Sequence, residues 1–116
     1  MKVLLDENLD RRLRKNLGAH EVFTAGYKGW DGLKNGKLIE AAENAGIEVL
    51  VTGDQSLFDE QNLSRLRLAI VALSSLEWRI LKNHLPQIVA AIDNALPGSF
   101  QAIECGTFSR KRDREA

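Results

Sequence analysis

Two hydrophobic patterns alternate along the chain. Short apolar runs at residues 2–5, 20–24, 47–52 and 66–73 are bounded by charged or glycine-containing stretches, and their length and composition predict buried strands. Between them, apolar residues recur at helical spacing. Leu9, Leu13 and Leu17 repeat every fourth residue while Arg11, Arg12, Arg14 and Lys15 occupy the other sides, and Gly18 follows as a stop, which predicts an amphipathic helix over residues 9–17. A second helix is predicted over residues 37–44, with Leu38, Ile39, Ala41 and Ala42 on its apolar face and Gly46 ending it. The spacing of Leu76, Ile80, Leu81, Leu85, Ile88, Val89 and Ile92 is helical too, but Pro86 lacks an amide donor and predicts a kink or two successive short helices. Residues 99–104 complete the series as a last strand behind a Pro97-Gly98 turn. Residues 26–36, which hold four of the nine glycines, form a loop.

Strands alternating with helices predict the α/β class, with a largely parallel sheet of four or five strands covered on both faces and residues 47–52 at its centre. A length of 116 residues suits one domain, here placed at residues 1–108 with a charged, flexible tail at 109–116. Sixteen basic residues balance sixteen acidic ones, so uniform charge does not mark a nucleic-acid coat and only the distribution of charge is informative. A single cysteine, Cys105, excludes an internal disulfide and any zinc site built on several thiolates, in keeping with a cytoplasmic protein, and reads as a small buried apolar residue. No apolar run approaches the roughly 18 residues of a membrane span, so no membrane partner is expected.

In parallel α/β sheets ligands bind beyond the carboxyl ends of the strands, where the strand order reverses. The first strand ends in Asp6-Glu7-Asn8, the third in Thr52-Gly53-Asp54 and the fourth in Ser74-Ser75. One acid at such a place is accounted for by helix capping. Asp6, Glu7 and Asp54 together exceed what one cap needs, and like charges brought to one edge call for a cation. A hard divalent ion, Mg²⁺ or Mn²⁺, takes one or two carboxylates and leaves its other positions to water and phosphate oxygens, which points to phosphate chemistry.

The segments LLDENL at residues 4–9, GWDGLKNGKLIEAAENAG at residues 29–46 and VLVTGDQSL at residues 49–57 resemble, in this order, the small PIN-like proteins of the DUF5615 type. That family is related to the toxin ribonucleases of toxin–antitoxin pairs and to the PIN-like domain of Mut7-type exonucleases. The resemblance implies a PIN-like three-layer α/β/α sandwich, a metal-dependent ribonuclease acting on RNA, and a cognate antitoxin protein. It matches Asp6 to the family's first-strand aspartate, Glu7 to its acidic neighbour, and Thr52 and Asp54 to the later threonine and aspartate. Asp6 and Asp54 would hold the ion, with Glu7 binding it or orienting the site. The chain departs from the pattern further on. For the acid on the middle helix the candidates are Glu40 and Glu43, with Glu40 either reaching the site or facing solvent. Asn35 stands where many relatives carry aspartate, and Gln55 and Ser56 follow Asp54, leaving Asp59 as a fourth carboxylate if its loop folds back.

Arg11, Arg12, Arg14 and Lys15, together with Arg65 and Arg67, form either a basic rim for an RNA backbone or a solvated face. Trp30, with Tyr27 nearby, either stacks on a base or anchors its loop to the core. His20 and His84 lack the paired spacing of metal or acid–base motifs. Two other readings compete with the nuclease. One is a catalytically degenerate PIN-like module that docks a protein partner. The other is a receiver-type phosphoacceptor domain, whose hydroxyl Ser74 or Ser75 would mimic but whose lysine after the last strand is replaced here by Glu104-Cys105-Gly106. A homodimer is a further expected partner arrangement.

Overall fold

The computed structural model describes residues 1–54 and 67–105, apart from the side chain of Asn35. Gln55, Ser56, Asp59, Arg65 and the tail at 109–116 lie outside these residues. Five strands, β1 (Lys2–Leu5), β2 (Glu21–Thr24), β3 (Val49–Thr52), β4 (Ala69–Leu73) and β5 (Phe100–Ile103), form one sheet in the order β2-β1-β3-β4-β5. Every neighbouring pair is parallel. This is the predicted α/β class, and β3 occupies the centre, where all four of its residues are buried. The order is one of the common doubly wound ones, with its reversal between β1 and β3.

Register explains how one sheet serves two cores. Leu4 lies beside Leu50, which lies beside Ile70, and all three side chains pack with Leu38, Ile39, Ala42 and Ile47 on the face covered by helix α1 (Asn35–Asn44). The alternate residues Val3, Leu5, Val49, Val51, Ala69 and Val71 face the other way. They pack with Leu9, Leu13 and Leu17 and with Leu81, Ile88, Ala91 and Ile92. Burying each large aliphatic chain contributes about 1.5–3 kcal/mol, which is why strands covered on both faces read as continuous apolar runs.

The covering elements match the hydrophobic pattern while differing in detail. The leucine repeat at residues 9–17 buries Leu9, Leu13 and Leu17 as predicted, but the backbone forms a 3-10 helix, Arg11–Asn16, instead of an α-helix. Two side chains bond to the backbone of this turn. Asp10 caps Arg12 N–H at 2.9 Å, and the Asn16 side-chain amide donates to the Arg12 carbonyl at 2.8 Å, a group that the Asn16 backbone would take in an α-helix. Helix α1 begins at Asn35, two residues before its predicted start, so Gly36 belongs to the helix and not to the loop. It ends in a Schellman turn, with Ile47 N–H donating to the Ala42 carbonyl and Gly46 N–H to that of Glu43, at a φ of +79° that favours glycine. The proline-containing stretch divides as predicted into α2 (Trp78–Leu81), a 3-10 turn (Lys82–His84) and α3 (Leu85–Asp93), with Pro86 in the first turn of α3. No helix among the described residues is long and apolar enough to cross a membrane.

Candidate active site

The carboxyl ends of β1 and β3 hold the candidate chemistry because pairing continues past the strands. Asp6 N–H donates to the Val51 carbonyl at 2.9 Å, one step beyond the Leu5–Val51 pair. Asp6 therefore stands beside Thr52 on the same face of the sheet. Thr52 is fully buried and its hydroxyl donates to Asp6 Oδ2 at 2.7 Å. Thr52 Oγ1 in turn accepts the Asp54 N–H at 3.0 Å, so one hydroxyl links the first-strand carboxylate to the turn that carries Asp54. Asp6 Oδ1 accepts the Glu7 N–H at 2.8 Å, which fixes the second carboxylate oxygen.

Glu7 is positioned by the loop after β2. Ala25 N–H continues the β1–β2 ladder onto the Leu5 carbonyl, Trp30 N–H turns back onto the Ala25 carbonyl, and Gly32 N–H donates to Glu7 Oε1. Gly32 has a φ of +88°, a left-handed conformation that presents its amide at low steric cost. Asp6, Glu7 and Asp31 then line one cleft of about 500 Å³, together with Leu9, Arg11, Thr24, Gly26 and Tyr27, whereas Asp54, tied to Asp6 through the Thr52 hydroxyl, stands outside its walls. Asp31 was not singled out among the strand-end acids, although it follows β2 at the same sheet edge and lies within the Trp30-Asp31-Gly32 segment. Its signal in the sequence is its place in the glycine-containing segment that follows the second apolar run.

Arg11, Thr24 and Tyr27 also line a second groove of about 440 Å³, whose other walls are Arg12, Arg14 and Lys15. The acidic cleft and the basic groove are thus neighbours with a shared wall. Within the groove, Arg14 Nε donates to the Val22 carbonyl at 3.2 Å. Arg12 pairs with Asp10 through two hydrogen bonds and lies 5.6 Å from the centre of the Trp78 ring. Hydrogen bonding to Arg12 lowers the Asp10 carboxyl to about 2, and Arg12 is raised in return.

Other candidates lie elsewhere. Glu40 is exposed on α1 at 3.8 Å from Lys37, facing solvent. Glu43 accepts the Leu68 N–H and lies 3.7 Å from Arg67. Arg67, grouped with the basic rim on sequence grounds, precedes β4 and so sits at the amino-terminal edge of the sheet, opposite the carboxylates. It lines a separate cleft of about 310 Å³ with Met1, Glu48 and Leu96. Trp30 is partly buried against the α1-side core and anchors its loop, while Tyr27 is the exposed aromatic, at 76%. Ser74 Oγ accepts the Cys105 N–H and Ser75 Oγ accepts the Glu77 N–H, so both hydroxyls hold local structure. His20 bonds Asp93 and the amino terminus, and His84 faces Gln87.

Among the described residues no three Asp, Glu, His or Cys side chains gather closely enough to hold an ion between them. The donors present, Asp6, Glu7 and Asp54, are all hard oxygens. They suit a largely hydrated Mg²⁺ or Mn²⁺ taking one or two carboxylates, rather than a closed cage of protein ligands. Comparisons with protein families, curated proteins and solved structures return no match for this chain.

Proposed function

We propose that the chain is a Mg²⁺- or Mn²⁺-dependent ribonuclease of the PIN-like kind, hydrolysing phosphodiester bonds of cytoplasmic RNA at the cleft of Asp6, Glu7 and Asp31. The observation that supports this most is that the carboxylate cleft shares a wall with the groove of Arg11, Arg12, Arg14 and Lys15. A phosphate backbone needs cationic contacts along its length and a cation site where charge builds up during attack. Asp6 and Asp54 would hold the ion, with Glu7 beside them. When bound, it polarises a phosphate oxygen and lowers the pKa of a water molecule.

The chain's own residues do the rest. Thr52 keeps the Asp6 carboxylate in one orientation, and the Gly32 amide does the same for Glu7. The basic groove holds the strand and leads it to the cleft. A protein-docking role without turnover is the second reading, favoured by the lack of a three-ligand cluster among the described residues. The toxin role, with a cognate antitoxin, is the biological setting of the first.

One assay separates the two. Purified protein is incubated with single-stranded RNA, with and without Mn²⁺ or Mg²⁺, beside Asp6→Asn and Asp54→Asn variants. Metal-dependent cleavage that disappears in both variants is the expected result. Cleavage that persists in them, or none in the unaltered protein, rejects the nuclease. Growth arrest on expression that a co-encoded neighbour relieves is the corresponding outcome for the toxin role.

A further inference from the structure

We propose that Tyr27 is a stacking platform for a nucleotide base, placing a single strand across the boundary between the basic groove and the carboxylate cleft. The inference rests on the nucleic-acid reading above and adds to it the residue that contacts a base. Tyr27 is a wall of both depressions, a place it shares with Arg11 and Thr24. It is the most exposed large hydrophobic residue among those described, at 76%.

A solvent-facing aromatic ring ordinarily moves freely, but this one is held. Its backbone amide donates to Thr24 Oγ1 at 3.1 Å, and the turn is closed by the Lys28 N–H on the Thr24 carbonyl. Its ring stacks on Phe23, with centres 6.3 Å apart and planes 21° from parallel. Phe23 is in turn fixed on β2 and packs against the α1-side core. Lys28 Nζ lies 4.4 Å from the centre of the Phe23 ring, adding a positive charge beside the pair. An aromatic ring restrained by an offset neighbour and largely open to solvent loses little freedom when a base settles on it. Phosphates flanking that base would meet Arg11, Arg14 and Lys15, which line the groove with Tyr27.

Base stacking contributes affinity that depends on the base and not on salt, whereas phosphate contacts behave in the opposite way. Fluorescence anisotropy of a labelled oligouridylate and of an abasic oligomer of equal length and charge therefore tests the assignment. The full chain would be compared with Tyr27→Phe and Tyr27→Leu. Tyr27→Leu is expected to bind oligouridylate about 5- to 100-fold more weakly, with the abasic oligomer and the salt dependence unchanged, and Tyr27→Phe is expected to restore binding. Equal losses on both oligomers, or no loss on oligouridylate, overturn the assignment of Tyr27 while leaving the nucleic-acid reading intact. Failure of the unaltered protein to bind either oligomer overturns both.

Discussion

Thr52 is the residue on which the candidate site turns. It is uncharged and fully buried, yet its hydroxyl gives its proton to Asp6 and accepts the Asp54 amide, coupling the ends of two strands. Valine has nearly the same shape and neither capacity. Thr52→Val should cost about 1–3 kcal/mol in chemical denaturation, because the two hydrogen bonds of the buried hydroxyl, to Asp6 Oδ2 and from the Asp54 N–H, are lost. It should also weaken divalent-ion binding by about 10- to 100-fold, as loss of an orienting hydrogen bond does in metal sites. Thr52→Ser keeps both hydrogen bonds and should retain ion affinity, so equal ion binding by the serine and valine variants would show that the hydroxyl does not orient Asp6. The sequence made Asp6, Glu7 and Asp54 legible as acids at strand ends. It could not reveal that Thr52 joins them, since that depends on the β1–β3 register.

At the level of elements, the apolar spacing predicted which residues are buried more reliably than which helix they build. Leu9, Leu13 and Leu17 are buried, but the backbone that carries them is a 3-10 helix, to which Asp10 and Asn16 add local side-chain bonds. Pro86 was more direct, because a missing amide can be accommodated only in the first turn of a helix. The Asp10 cap carries a pH dependence with a definite sign. Pairing with Arg12 lowers the folded carboxyl to about 2 from its ordinary 3.8, so the stabilisation is complete above the ordinary value and is lost as pH falls through about 2. Carbon-detected titration of the Asp10 carboxyl should give a midpoint near 2 in the folded protein and a higher one in Arg12→Ala, still below 3.8 because the backbone N–H of residue 12 continues to bond the carboxylate. A midpoint at the ordinary value in the unaltered chain would mean that the pair does not persist in solution.

On the scale of the whole molecule, parallel pairing sorts residues by position relative to their strands. Groups that follow a strand collect at one edge, as Asp6, Glu7, Asp31 and Asp54 do, and groups that precede one collect at the other, as Arg67 does. Charge balance hid this separation, since a chain of zero net charge carries an acidic cleft that shares a wall with a basic groove. The α/β class and the central place of β3 were legible from apolar runs alone. The strand order, and with it the location of the cleft, was not, because hydrophobic pattern records burial and not which strand lies beside which. The central claim is that the cleft of Asp6, Glu7 and Asp31 binds a divalent cation, and paramagnetic broadening tests it without requiring turnover. Substoichiometric Mn²⁺ added to ¹⁵N-labelled protein should broaden the amide signals of Asp6, Glu7, Thr52 and Asp54 first, and Asp6→Asn should abolish the effect. Broadening centred elsewhere, or unchanged in the variant, would contradict the account.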